Sequence, residues 1–243
     1  MIVVRLARQQ LFNSPPLMIH CCTPLMEELF KDIMNSKKKE KLVIGVLGII
    51  YLVGIFGSIL PAYRTLFLSL TPLTLILSFC AIVFTLNTPT KPTLTFLLFS
   101  GLVGFIVELI GVNTGLLFGN YQYQANLGLK MAGVPVIIAI NWAIVTIGAA
   151  HCSALLSTNK LIRIIIAAFF MLLFDFILEP VAIKSGFWNW EGGHIPVYNY
   201  ICWFCIGLFL QIIYFSKIKH NTNKVIIALF LFMTVFFICL NLF

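Results

Sequence analysis

Charged residues are scarce in this sequence. Only 16 Lys and Arg and 8 Asp and Glu occur among 243 residues, which is 10% of the chain. A soluble domain carries charge on roughly a quarter of its residues. Hydrophobic residues make up 60% of the chain, and its mean hydropathy is +1.03. The chain therefore has too few polar side chains to cover a soluble surface, and its composition predicts an integral membrane protein.

Motifs of several other protein classes are also absent. The sequence has no paired aspartate-rich motif that would hold magnesium and a diphosphate, which argues against prenyl transfer. Cys202 and Cys205 form a CxxC, but no second pair or nearby histidine completes a metal site, so none is predicted. The basic residues lie in short clusters between apolar runs, a pattern that orients membrane helices and does not indicate nucleic-acid binding.

A membrane-spanning helix needs about 20 mostly apolar residues, and seven stretches of the chain qualify. They are residues 42–60, 65–87, 94–112, 133–156, 161–183, 199–216 and 225–243. The predicted fold class is an all-α, polytopic transmembrane helical bundle of about seven spans. Pro72 and Pro180 predict kinks in the second and fifth spans. The last stretch is the one that we would remove first if the count were six.

Residues 1–41 differ from the rest and are predicted to form an N-terminal extension, mis-started or disordered, whereas residues 42–243 form the transmembrane domain. Met34 precedes a lysine-rich stretch and the first span, as a bacterial start would. We therefore interpret residues 1–33 as a dispensable extension or the result of a misplaced start site. Recovery of Met1 by N-terminal sequencing of the native protein would contradict this interpretation.

The basic residues predict a cytoplasmic N-terminus. With that orientation, ten Lys and Arg residues between Lys37 and Lys224 fall on the inner side. Only Arg64, Lys130 and Lys184 fall on the outer side. An odd number of spans places the C-terminus outside. We expect the protein in a bacterial cytoplasmic membrane.

Three of the eight acidic residues lie inside predicted spans, near their outer ends: Glu108, Asp175 and Glu179. A carboxylate at a helix centre costs about 2.5–3.5 kcal/mol on insertion scales, and an ionisable residue within a membrane is a functional hypothesis by default. The i, i+4 spacing puts Asp175 and Glu179 on one helix face, about 6 Å apart along the axis. Pro180 leaves a backbone carbonyl beside them without its usual donor.

Aromatic and amide side chains gather on the same predicted side. They occur in the outer loops after the third and fifth spans and in the outer turns of the fourth and sixth. We take them as candidate substrate-binding residues: Tyr121, Tyr123, Asn141, Trp142, Trp188, Trp190, Asn199 and Trp203. The alternatives are an interfacial aromatic belt and, for Asn141, a hydrogen bond between helices. The inner half is predicted to be plain, with His151 as a packing residue, and His194 is a weak candidate.

The order of these residues resembles the carotenoid biosynthesis membrane protein family of bacteria and archaea, whose characterised members are carotenoid hydratases. The resemblance covers roughly residues 42–216. This chain has Glu179-Pro180 where the family typically has Asp-Pro, which keeps the acid but lengthens its reach. The motifs are Gly-Asn-Tyr-Gln-Tyr (119–123), Gly-Val-Pro (133–135), Asn141-Trp142, Asp175, Glu-Pro-Val-Ala (179–182), Gly-Phe-Trp-Asn-Trp (186–190) and Ile-Pro-Val-Tyr-Asn-Tyr (195–200) with Trp203.

The resemblance implies an enzyme that adds water across the terminal double bond of an acyclic carotenoid end group, without a cofactor. Asp175 and Glu179 would be the acid and the water-activating group, with Glu108 and Asn141 in support. Carboxyl groups supply such acid–base chemistry, and aromatic faces stabilise cations. The implied partners are a carotenoid, the bilayer and other carotenoid-pathway enzymes.

Two other functions stay open. End-group cyclisation also begins with protonation of an alkene, but it ends with loss of a proton and gives an isomer. A small proton-coupled transporter would use the three acids as an ion relay. A relay predicts polar residues at several depths, whereas the sequence predicts them only near the outer face.

Overall fold

The computed structural model describes residues 36–86, 90–218 and 222–243. Residues 43–243 form one compact unit. Residues 1–42 are assigned to another unit, of which only the start of the first helix is described. The predicted extension therefore lies mostly outside the described residues, and its interpretation as a misplaced start stays a prediction.

Most of the described residues are helical, which confirms the predicted all-α bundle. Six of these helices, α1 and α4 to α8, are long and apolar enough to cross a membrane. Among the described residues, short strands occur only in the connections that follow α4 and α6. The helices are α1 (Ser36–Ile59), α2 (Arg64–Ser69), α3 (Thr71–Thr85), α4 (Thr90–Thr114), α5 (Ile137–Leu156), α6 (Lys160–Lys184), α7 (Val197–Lys217) and α8 (Lys224–Asn241); the strands are β1 (Tyr121–Tyr123), β2 (Lys130–Met131), β3 (Val134–Pro135) and β4 (Trp188–Trp190).

The second predicted span is two helices and not one, because the chain breaks at Leu70. Pro72 lies in the first turn of α3 and has no N–H for the carbonyl of Leu68. The Thr71 hydroxyl donates to that carbonyl instead, at 2.8 Å. With 15 residues, α3 alone is shorter than the roughly 20 residues of an average span.

Even so, α3 reaches from the connection after α4 to the start of α8. The start of α3 contacts the turn at Ala125–Leu127, in the connection after α4. At its other end, the Thr85 carbonyl accepts a hydrogen bond from Asn223 Nδ2 at 3.0 Å. Asn223 also caps α8, because its Oδ1 accepts from the N–H groups of Val225 and Ile226.

The C-terminal helix is part of the bundle, so the expectation that it would be the first to remove is wrong. α8 is one of the six candidate spans, and it packs against α5 and α6. Asn241 Nδ2 donates to the carbonyl of Ile177 at 2.7 Å, within one turn of Pro180. α6 continues through Pro180 and ends at Lys184. The last turn of α8 is therefore fixed beside the part of α6 that carries Asp175 and Glu179.

α5 is the central helix: 78% of its most apolar stretch is buried, against 22% for α1. Small residues explain how closely its neighbours approach. A Cβ at Gly101 of α4 would lie 2.7 Å from the Ala139 carbonyl oxygen, and one at Gly148 would lie 2.8 Å from Phe230 Cβ of α8. Such contacts are typical of membrane helices, where small residues let backbones pack together.

The end of the bundle opposite β1 and β4 is not plain, so that prediction is wrong. His151 is buried, with Tyr214 Oη 3.2 Å from its Nε2 and the Asn223 N–H donating to its Nδ1 at 3.1 Å. Deeper in the bundle, Gln211 Nε2 donates to the Thr146 carbonyl at 2.9 Å. Within the described ranges, Thr146 Oγ1 and Gln211 Oε1 are buried without a hydrogen-bond partner.

Candidate functional site

Strands β1 and β4 join the connection after α4 to the connection after α6. They pair antiparallel, with Tyr121 opposite Trp190 and Tyr123 opposite Trp188. Successive side chains of a strand point to opposite faces, so all four aromatic residues are buried while Gln122 and Asn189 are exposed. We call Tyr121, Tyr123, Trp188 and Trp190 the aromatic ladder. The polar atoms of these four rings point to the carboxyl groups of Glu108 on α4 and Glu179 on α6.

Glu108 receives three hydrogen bonds from buried side chains. The Tyr121 and Tyr123 hydroxyls donate to its Oε2 at 2.5 and 2.8 Å, and Trp142 Nε1 donates to its Oε1 at 3.1 Å. Burial and the Glu108 carboxylate raise the pKa of both tyrosines well above the usual range, so both phenols keep their protons and donate. Glu108 thus binds β1 to α4 and α5 with both of its oxygens.

Asp175 and Glu179, the pair on α6, accept hydrogen bonds with fewer of their carboxyl oxygens than Glu108 does. Trp188 and Trp190 both donate from Nε1 to Glu179 Oε2, at 3.0 and 2.8 Å. Asn199 Nδ2 donates to Asp175 Oδ2 at 2.7 Å. Within the described part of the chain, Glu179 Oε1 and Asp175 Oδ1 accept no hydrogen bond. Each carboxyl group is therefore held by one oxygen and has the other available.

The predicted site residues share one small chamber. Its volume of about 30 Å³ is enough for a water molecule. Every residue predicted for the site lines it: Glu108, Tyr121, Tyr123, Asn141, Trp142, Asp175, Glu179, Trp188, Trp190, Asn199 and Trp203. The geometry thus brings together all of the residues that were predicted as catalytic or substrate-binding, although their roles remain proposals.

Three apolar residues, Phe118, Ile138 and Leu178, complete the chamber wall and were not predicted. Nothing in the sequence distinguishes them from the other apolar residues around them. The pairing of β1 with β4 was also missed, although both strands read aromatic–amide–aromatic, Tyr-Gln-Tyr and Trp-Asn-Trp. That alternation is a signal for a strand with one buried face.

Two indole rings line the α5–α7 side of the chamber. Trp142 and Trp203 are stacked with ring centres 4.0 Å apart and planes 7° from parallel. The Asn141 side chain lines the chamber as well. Its amide makes no hydrogen bond to any residue that the structure describes, so it does not act as the interhelical link that we considered.

Some residues that were considered lie outside the chamber. His194 is exposed, with its Nδ1 3.2 Å from the Gly192 carbonyl. Of the CxxC pair, Cys202 is buried and Cys205 is exposed, and both are free. In residues 36–86, 90–218 and 222–243, no group of three His, Cys, Asp or Glu side chains is arranged to hold a metal ion.

Replacing Gly104 with alanine is expected to displace Trp142. A Cβ at Gly104 would lie 2.1 Å from Trp142 Cγ and 2.4 Å from its Cβ, so the indole must move away from Glu108 and Trp203. Overpacking of this kind costs about 1–3 kcal/mol. Gly45→Ala is the matched control, since no atom lies within 4 Å of a Cβ there. Tryptophan fluorescence during thermal unfolding in detergent should show a lower Tm for Gly104→Ala only; equal Tm values would contradict this packing.

Comparison with known families adds an independent observation. A carotenoid biosynthesis protein family matches residues 68–243 of this chain. The chain belongs to this family. The match begins in α2 and includes α8, so it starts later than the predicted resemblance over residues 42–216 and extends beyond its end. It covers every residue of the chamber.

This family member is also similar to a bisanhydrobacterioruberin hydratase from Haloarcula japonica. The two are 29% identical over 114 residues, which cover 44% of this chain and 39% of the relative. The matched part is thus well under half of the length of that hydratase. No solved structure matches the chain.

Proposed function

We propose that this protein is a carotenoid hydratase that adds water across the terminal double bond of an acyclic carotenoid end group. The observation that carries the proposal is the pair Asp175 and Glu179: both line a chamber of aromatic residues, and each accepts hydrogen bonds from the described residues with only one carboxyl oxygen. The family and the hydratase relative support a carotenoid as the substrate.

The reaction needs one proton donor and one proton acceptor. One carboxyl group of the pair donates its proton to the less substituted alkene carbon, which leaves a tertiary cation at the other carbon. A water oxygen adds to that cation, and the second carboxylate takes the released proton. Because the two groups are one helical turn apart, the proton can return to the first group and complete the cycle. No redox step is involved.

The surroundings of the pair suit a cationic intermediate. The rings of Trp142, Trp203 and the aromatic ladder line the chamber, and aromatic faces attract positive charge. Hydrogen bonds from Trp188 and Trp190 hold Glu179 in place, so its charge is already oriented when the cation forms. The unused amide of Asn141 is placed to bind the attacking water.

Expression in a cell that accumulates lycopene tests the proposal. We expect extracted pigments to include a more polar product whose mass is higher by one water, with cells carrying the empty vector as the control. An isomeric product would indicate cyclisation. If neither lycopene nor γ-carotene gives a hydrated product, hydration is wrong.

A proton-coupled carrier is the second candidate, and the buried polar groups at His151, Thr146 and Gln211 favour it. They lie at depths where the sequence predicted none. Protein reconstituted in liposomes with a pH-sensitive dye inside distinguishes the two functions. Proton flux that depends on Glu179 would support a carrier, whereas hydrated pigment without flux supports the enzyme.

The cellular setting follows from the same proposal. A lipid substrate reaches its site through the bilayer, so we propose that the enzyme acts in the bacterial cytoplasmic membrane with its N-terminus inside. Association with other carotenoid-pathway enzymes would let it receive substrate directly. Fractionation of membranes from the native host, followed by detection of the chain, tests the location.

A further inference from the structure

An apolar cavity of about 350 Å³ lies beside the acid chamber and is more than ten times larger. Its walls come from α1, from α2 and α3, and from α8, with α5, α6 and the start of β4 at the chamber side. The size falls within the range of small-molecule binding sites. The proposed mechanism does not use this cavity.

The cavity and the chamber share part of their walls. Four residues line both: Ile138, Asn141, Leu178 and Trp188. Trp188 is also a hydrogen-bond donor to Glu179, at 3.0 Å. At one end of a molecule lying in the cavity, only these shared side chains would therefore separate it from Asp175 and Glu179. That end would lie beside the Asn141 amide.

The outer wall of the cavity is α1, which is the least buried of the candidate spans. It packs through long side chains: the Tyr51 hydroxyl lies 3.0 Å from Ser78 Oγ, and the Tyr51 ring contacts Phe232 and Phe236. On the outward side, Leu52 and Phe56 are more than half exposed. A hydrophobic molecule in the bilayer thus meets α1, a helix that makes few contacts with the rest of the bundle and carries apolar side chains on both its inner and its outward side.

We propose that this cavity binds the hydrocarbon chain of an acyclic isoprenoid polyene, with the end group passing Asn141 and Trp188 to reach the acids. The proposal rests on the hydratase function, because that function requires such a substrate. An apolar cavity suits the polyene, which has no polar groups to satisfy. The small residues Gly54 of α1 and Thr74 of α3 line it from two sides and keep it open.

Enlarging Gly54 tests the proposal. The Cβ of Gly54→Leu would lie 3.4 Å from Phe236, so the added side chain fills the cavity. Gly45→Leu adds the same atoms on the same helix, but into open space. Both changes are made in an Asp175→Asn protein, so that binding is measured without turnover. The purified proteins come from lycopene-accumulating cells, and the lycopene retained per protein is read from its absorbance.

We expect Gly54→Leu to retain lower amounts of lycopene, by about fivefold or more, while Gly45→Leu matches its parent. Equal retention by the two variants would overturn the proposal and would indicate that the cavity holds only an ordinary lipid chain. If Gly54→Leu does not yield folded protein, Thr74→Leu narrows the cavity from α3 and must show the same loss, or the proposal fails.

The lycopene-retention experiment and the hydration experiment can fail independently of each other. Lycopene retention that depends on Gly54, in a protein whose wild type forms no hydrated pigment, would keep the binding site and remove the proposed reaction. Hydration by the wild type that is unaffected by Gly54→Leu would keep the reaction and remove the binding site.

Discussion

Asp175→Asn and Glu179→Gln are each expected to lower carotenoid hydration by roughly 10²–10⁴-fold, the usual contribution of a general acid or base. An amide can neither donate a carboxyl proton nor take one from water. The hydrogen bonds from Asn199, Trp188 and Trp190 reach one oxygen of each carboxyl group, and an amide keeps one oxygen as an acceptor. Both variants should therefore insert and fold. Hydrated pigment per unit of membrane-inserted protein is the measurement.

Glu191→Gln is the matched control for this pair. Glu191 is exposed and follows β4 directly, so the same chemical change is made at the same end of the bundle but outside the chamber. Its activity should equal that of the wild type. Full activity of both Asp175→Asn and Glu179→Gln would remove the mechanism even if hydration itself were observed.

Glu108→Leu is expected to have the largest effect on stability. It leaves the hydroxyls of Tyr121 and Tyr123 and the Trp142 N–H buried without their acceptor. An unsatisfied buried donor costs about 1–3 kcal/mol, so a loss on the order of 3 kcal/mol is a conservative sum. For a protein of this size that lowers the Tm by roughly 6–12 °C, as thermal unfolding in detergent would measure.

Two further variants identify the cause of that loss. Glu108→Gln keeps an acceptor for Trp142, and its amide can donate to phenol oxygens, so most of the stability should return. Glu191→Leu makes the same apolar change at an exposed position and should leave the Tm unchanged. A Tm for Glu108→Leu within a degree or so of the wild type would contradict the view that Glu108 holds the β1 strand.

Much of this fold follows from the sequence because lipid imposes a simple rule. Helices must be long and apolar, and the predicted stretches at 94–112, 161–183 and 199–216 correspond to α4, α6 and α7 within a few residues. The same rule makes an acid in such a stretch conspicuous. Glu108, Asp175 and Glu179 could be found for that reason, and all three line one chamber.

Features that depend on contacts between distant residues were not predictable in the same way. The break at Leu70 involves Pro72, which has no N–H for the Leu68 carbonyl, and the Thr71 hydroxyl, which donates to that carbonyl instead. The buried contacts of His151 depend on Tyr214 and Asn223, which are more than 60 positions away. Hydropathy and spacing carry no information about which helices become neighbours.

The roles of the aromatic residues were also only partly foreseen. The sequence suggested rings that stabilise a cation, and it gave no sign that their polar ends hold the carboxylates. Tyr121, Tyr123, Trp188 and Trp190 each donate a hydrogen bond to Glu108 or Glu179. An aromatic side chain can do both, since its face and its polar atom point in different directions.

The hydrogen bonds of the acids have a consequence for how the protein is made. The donors to Glu108 are 13, 15 and 34 residues downstream, and those to Glu179 are 9 and 11 residues downstream. Glu108 and Glu179 thus receive most of their hydrogen bonds from the connection that is synthesised directly after their own helix. The remaining donors, Trp142 to Glu108 and Asn199 to Asp175, lie in the helix that follows that connection. A helix bearing an acid therefore has to wait only for its following connection and the next helix, and not for the complete bundle, before its carboxyl groups find their partners in the membrane.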